Sequence, residues 1–177
     1  DVWSVSNAGA VSANAGSITD LGILYQNTRM GLVVPQYVYD AGVQTISDLA
    51  SGTTPSDMSN TITGISSGAG LVITTENDVM PAYGLGSAGY IMQYNTGSDM
   101  TAKLGTAISA GDDIVVTLWR PHWAFAKHNL QFLDEDQATS YYGTEDIHVY
   151  GRNGLSTDDP DLAQFLSNMS FTDDQLN

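Results

Sequence analysis

The 177-residue sequence has no cysteine, which excludes disulfides, thiolate metal sites and a cysteine nucleophile together. It is also poor in cations: five Lys plus Arg stand against 20 Asp plus Glu, a formal charge of −15. Such a surface repels phosphate backbones, so nucleic acid is not an expected partner. Glutamate itself is scarce, three against 17 aspartates, a skew that suits loops and helix caps. Long apolar runs are missing, and Gly and Pro interrupt the short ones throughout, so no membrane-spanning helix is expected. What is present is globular material, 42% hydrophobic, in a length that fits one compact domain with its own core. The acidity fits a salty milieu or an extracytoplasmic surface. Asp1-Val2-Trp3 carries neither a basic nor an apolar leader region and reads as a processed start.

Runs of strand length alternate with helical patterns, the signature of βαβ units and a mostly parallel sheet flanked by helices, so the expected class is α/β. Residues 31–34, 61–65, 88–94, 114–119 and 147–150 are rich in β-branched or aromatic side chains and bounded by turn formers, and are expected strands. A helix is expected from an N-cap at Ser98, with Met100, Leu104, Ala107 and Ile108 on one face and Gly111 after its end. A second follows Asp159-Pro160, with Leu162, Phe165, Leu166 and Met169 as its apolar stripe. Thr172 to Gln175 spells a capping box that opens a helix near the last residue, and with the abrupt start it suggests a piece of a longer chain. Residues 51–59 read as a polar connection.

Two places have the makings of a ligand site. Trp119 and Trp123 bracket His122 at the end of the most hydrophobic strand, and ligands of open α/β sheets sit at the carboxyl ends of strands. Pro121 at the first position of a following helix would put His122 and unpaired first-turn amides in that crevice, where a carboxylate is favoured. The bland alternative makes both Trp residues core packing and His122 a cap. The second place is Gly64-Ile-Ser-Ser-Gly-Ala-Gly-Leu71, a strand running into a Gly-rich turn and a helix over 71–80; it lacks the Lys of a phosphate-binding loop and the dinucleotide spacing, and turn geometry alone also explains it. His122, His128 and His148 lack the spacing of a helical metal pair, so no metal site and no cofactor is expected. Asp134-Glu135-Asp136 and Asp158-Asp159-Pro160-Asp161 lack the ligand order of a calcium loop and read as solvated acidic loops. No Gly-x-Ser-x-Gly elbow is present, and no enzyme is expected.

With these residues in view, the chain resembles the glycine betaine/proline betaine substrate-binding proteins of ABC importers. Tyr25-Gln-Asn-Thr-Arg-Met-Gly-Leu-Val-Val-Pro-Gln-Tyr-Val-Tyr-Asp40 is similar to that family's run into its second lobe, and Asp113-Ile-Val-Val-Thr-Leu-Trp-Arg-Pro-His-Trp-Ala-Phe125 to its binding-strand motif. Residues 64–76, Ile147-His148 with Arg152-Asn153-Gly154, and Phe171-Thr172-Asp173-Asp174 resemble further family segments in the same order. The resemblance implies one lobe of a clamshell, with hinge strands near 1–6 and 146–151 and the first C-terminal helices over 155–177, the other lobe being largely absent. It implies a quaternary ammonium held in an aromatic cage and a carboxylate held by amides and a polar side chain. Carried over residue by residue, Trp3 and Trp119 match cage rings, His122 a carboxylate-binding residue, and Gly68, Ala69 and Gly70 the turn. Ala69 stands where some relatives place a third Trp, which leaves that wall to Tyr94 or to the other lobe. Arg120 adds a cation where the motif tolerates small residues.

The implied function is the extracytoplasmic solute-binding component of an importer of glycine betaine or a related compatible solute, serving osmoprotection, with a membrane permease as partner and no covalent chemistry. A sensor domain using the same pocket and, more remotely, a hydrolase built on Ser67 and His122 are the alternatives.

Overall fold

The computed structural model describes residues 2–51 and 58–176, so the polar connection expected over 51–59 lies mostly outside the described residues. In chain order the elements are β1 (Val2–Trp3), α1 (Ala8–Ala13), β2 (Ile18–Tyr25), β3 (Arg29–Pro35), α2 (Gln36–Asp40), α3 (Ile46–Ala50) and β4 (Thr61–Thr63). A helical stretch follows as α4 (Gly70–Thr74), a π-helical turn (Thr75–Val79) and α5 (Met80–Ala82). Then come β5 (Ile91–Gln93), α6 (Gly97–Ala110), β6 (Val115–Arg120), α7 (Ala124–Lys127), β7 (Leu130–Phe132), β8 (Ile147–Arg152), α8 (Leu155–Asp158), α9 (Pro160–Ser167) and α10 (Asp173–Leu176). The class is α/β. The chain divides into two compact units, Met30–Gly143 and the residues on either side of it, and each is described by itself.

The Met30–Gly143 unit is built on a five-stranded sheet in the order β5-β4-β6-β3-β7. Strand β4 runs parallel to both β5 and β6, whereas β7 is antiparallel to β3, so the expected parallel sheet carries an antiparallel edge. Val115 to Leu118 of β6 are buried one after another, as a strand covered on both faces requires. Alternation along the strands divides the core: Leu32, Val34, Ile62 and Val115 enter one cluster, Val33, Val116 and Leu118 the other. Helix α6 completes the second cluster with Met100 and Leu104, two of the four apolar positions expected of it. Its cap is Thr96 rather than Ser98. Thr96 holds the extended backbone a cap needs (φ −75°, ψ 161°) and its hydroxyl accepts from the Asp99 N–H at 3.1 Å. The helix ends on Gly111 in the left-handed region, φ 77°.

The π-helical turn opens on a buried threonine whose hydroxyl donates to the Leu71 carbonyl at 2.7 Å. With that proton committed, the buried Tyr142 hydroxyl donates to Thr75 Oγ1 at 3.0 Å, and burial pushes the Tyr142 phenol well above its ordinary range. The acidic loop is also internally bonded: Glu135 accepts from the Tyr141 N–H at 2.6 Å and the Ser140 hydroxyl at 2.8 Å.

The other unit is a three-stranded antiparallel sheet in the order β1-β8-β2. Strand β2 has no clear signature in the sequence because Asp20 and Gly22 break its apolar pattern, and its register against β8 shifts at two points. On β8, a Cβ on Gly151 would fall 2.9 Å from side-chain carbons of both Leu21 and Leu155, so glycine there permits close packing. Helix α9 starts as expected, with the Asp159 carboxylate accepting from the Leu162 N–H at 3.0 Å and Pro160 in the first turn. Its apolar stripe differs from expectation: Ala163 is the buried residue, while Leu162 is 42% and Phe165 63% exposed. Near the end, Gln175 Oε1 accepts from the Thr172 N–H at 2.9 Å, the reach-back half of the expected capping box.

Candidate ligand site at the strand ends

Register decides which loops of the Met30–Gly143 unit meet. Thr63 of β4 pairs with Gln93 of β5 and with Val116 of β6, all parallel, so the chain leaves these three strands at one edge of the sheet. That edge gathers the turn over 64–70, Tyr94, and the segment from Trp119 to His122. Asn95 fastens two of the exits, its side-chain amide donating to the Gly64 carbonyl at 3.0 Å and its N–H to the Ile65 carbonyl at 3.3 Å. Six of the seven expected site residues belong to this unit and follow these strands: Gly68, Ala69 and Gly70 after β4, Tyr94 after β5, and Trp119 and His122 at the end of β6, where the last two are in ring contact.

Trp119 is half-buried and packs against both core clusters. The His122 ring stands edge-on to it, with centroids 4.8 Å apart at 85°, and lies 5.4 Å from the exposed Trp123 ring. The expected place of Pro121 is corrected. It is joined to Arg120 by a cis bond, and the following helix begins only at Ala124, so Pro121 is not its first residue. His122 Nδ1 instead accepts from the Ala124 N–H at 3.1 Å. His122 is thus a cap and also a ring at the strand end. Burial pulls its pKa below the ordinary histidine value, and with Nδ1 accepting, the neutral ring carries its proton on Nε2. Arg120 folds back, its guanidinium carbon 4.2 Å from the centre of the Phe125 ring, which itself stacks on Phe132 at 5.1 Å.

In the glycine turn, Ala69 precedes α4 with extended backbone and supplies no side-chain cap. A Cβ on Gly68 would meet nothing within 4 Å, so crowding does not demand glycine there, and its absence leaves backbone uncovered. Tyr94 is exposed and its hydroxyl donates to Glu76 Oε1 at 2.6 Å, a bond that raises the phenol pKa. Glu76 had no signal in the sequence, since it lies 18 residues from its partner. Ser67 is exposed in the same turn.

Trp3, the seventh expected residue, belongs to the other unit. It is half-buried on β1, its N–H donates to Asn7 Oδ1 at 3.0 Å, and it pairs with Ile147 of β8.

Aromatic rings and a glycine turn thus follow the carboxyl ends of adjacent parallel strands, the place where open α/β sheets take small ligands. The model of the family described as the substrate-binding domain of ABC-type glycine betaine transport systems matches residues 5–177, and the chain belongs to that family. It is 39% identical over 116 residues to a glycine betaine/carnitine transport binding protein of Listeria monocytogenes, a match covering 66% of this chain and 38% of that relative. Among solved structures it is similar to the glycine/betaine/L-proline-binding protein of Borrelia burgdorferi (32% identity, TM-score 0.77, 98% of this chain and 63% of that one). It is similar also to the lactococcal glycine betaine-binding domain in its closed, liganded conformation (28% identity, TM-score 0.77, 97% and 63%). The chain thus spans less than two thirds of the length of each of these relatives.

Proposed function

We propose that this chain forms part of the extracytoplasmic solute-binding component of an ABC importer and binds glycine betaine or a related quaternary-ammonium compatible solute for delivery to a membrane permease. The observation that carries the reading is the edge-on pair of Trp119 and His122 where β6 ends. A trimethylammonium group has no N–H, so hydrogen bonds cannot select it, whereas each ring face attracts it by roughly 0.5–2 kcal/mol. Trp119 is proposed as one such face and Tyr94 as the wall that Ala69 leaves open. The solute's carboxylate needs donors: the His122 ring and the backbone amides of Gly68 and Gly70 are proposed to supply them, the Ala69 N–H being already given to the Ser66 carbonyl at 3.0 Å. Trp3 is proposed as a further ring, and this rests on the family resemblance alone. Two or three such rings with charge-assisted hydrogen bonds supply a good part of the roughly 8 kcal/mol of a micromolar complex.

No covalent step is proposed. His122 Nδ1 is already an acceptor and has no proton through which a carboxylate could orient the ring as a general base. Calorimetric titration with glycine betaine tests the reading. Binding that falls roughly tenfold or more in Trp119→Ala is the expected result, from the loss of one ring contact and the area it covers. Wild-type binding that Trp119→Ala leaves untouched would remove this strand end from the site.

A further inference from the structure

The stretch after Trp3 lacks what usually fixes a chain. None of residues 4–14 is fully buried, α1 contributes nothing to a core, and Val5 is well exposed. Against this bare segment stands Glu145, only 5% exposed in a unit with few buried polar groups. Its carboxylate is met by donors from one turn: Oε2 accepts from the N–H groups of Val5 at 2.7 Å and Ser6 at 2.9 Å, and Oε1 from the Ser6 hydroxyl at 2.5 Å.

The backbone of Glu145 is equally tied. Its carbonyl accepts from both the N–H and the hydroxyl of the fully buried Thr28, at 2.9 and 2.8 Å, and its own N–H donates back to Thr28 Oγ1 at 3.3 Å. Next to it, Asp146 exchanges bonds with Ser4, the Ser4 N–H reaching the Asp146 carbonyl at 3.0 Å. Strand β1 itself has only two residues paired to β8. The polar clasp therefore does for the turn at 4–6 what apolar burial does elsewhere, and Trp3 is the side chain immediately before that turn.

We infer that Glu145 is a positioning residue for Trp3: its buried carboxylate, anchored on Thr28, fixes the turn at residues 4–6 and with it the placement of the indole. For binding, this rests on the proposed role of Trp3 as a ligand ring. For the geometry it does not.

The test uses the intact chain and two readouts. Amide exchange and the indole N–H resonances need no ligand. In Glu145→Gln, which turns one acceptor oxygen into a donor facing donors, the Val5 and Ser6 amides are expected to lose roughly tenfold or more of their protection, and the Trp3 indole resonance to move while those of Trp119 and Trp123 stay. Ser6→Ala removes a single donor and is expected to move the same resonance less, which keeps the test sound if Glu145→Gln folds poorly. An unmoved Trp3 resonance in both variants would overturn the inference.

The second readout is glycine betaine affinity. Glu145→Gln is expected to weaken it roughly tenfold in the wild-type background and to add nothing in a Trp3→Ala background, whereas additive losses would show that Glu145 does not act through Trp3. A wild-type chain that binds no glycine betaine would sink the functional reading and leave the exchange and resonance data to decide this one.

Discussion

In the Met30–Gly143 unit, β6 buries four side chains in succession and α6 packs Met100 and Leu104 against one face of them; in the other unit, residues 4–14 bury none fully, and Val5 and Ser6 among them are held by a carboxylate 140 and 139 residues away in sequence. The first arrangement is non-directional and tolerates modest shape changes. The second depends on donors and acceptors at set distances, and each lost partner leaves a buried polar group unanswered. The same contrast separates the proposed site residues. Trp119 is wedged between two core clusters, while Trp3 stands on a two-residue strand.

The largest expected effect lies where burial is deepest. Leu118→Ala should cost about 2–5 kcal/mol of unfolding free energy in a urea titration, because the interior around a fully buried leucine relaxes only partly. A loss below about 1 kcal/mol would break the contrast by showing that this core is not closely packed.

A smaller effect is expected from His122, with a definite sign. Its native pKa lies below the ordinary value of 6.5, so as pH falls the unfolded chain takes up the proton first. The stability tied to keeping the ring neutral is full above the unfolded value, erodes as pH drops from there to the native value, and changes no further below it. His128 is shifted the same way by burial and by Lys127, so the comparison must isolate one ring. The gap in urea midpoint between wild type and His122→Gln should shift against the wild type on going from about pH 7 to about pH 5. A gap that does not depend on pH would contradict the buried, neutral imidazole.

The smallest effect is expected on α9. Phe165 is largely exposed, so Phe165→Ser should change stability by no more than about 0.5 kcal/mol. A substantially larger loss in thermal unfolding would mean that the stripe is covered in solution.

The legible parts of the fold were those decided locally. Strand β6 announced itself through consecutive apolar residues, and α9 through Asp159-Pro160, whose capping needs only neighbours. Ser98 and Thr96 are both good caps by composition, and the choice between them fell to backbone angles that composition does not contain. Leu162 and Phe165 have helical spacing, yet the small Ala163 is what packs, because spacing locates a face without saying what it meets. Of the site, Trp119 and His122 were visible as a motif, but the cap made by Nδ1 and the bond from Tyr94 to Glu76 required the folded chain. The clasp at Glu145 is the extreme case: an isolated glutamate gives no sign of partners so far away in the chain.

The most direct test is magnetisation transfer by NMR from the methyl protons of glycine betaine, a readout that tolerates weak binding. Transfer to the indole protons of Trp119, lost in Trp119→Ala, is the predicted result. Transfer that bypasses Trp119 and reaches other side chains, or none at a glycine betaine concentration where calorimetry reports binding, would contradict a quaternary-ammonium site at the end of β6.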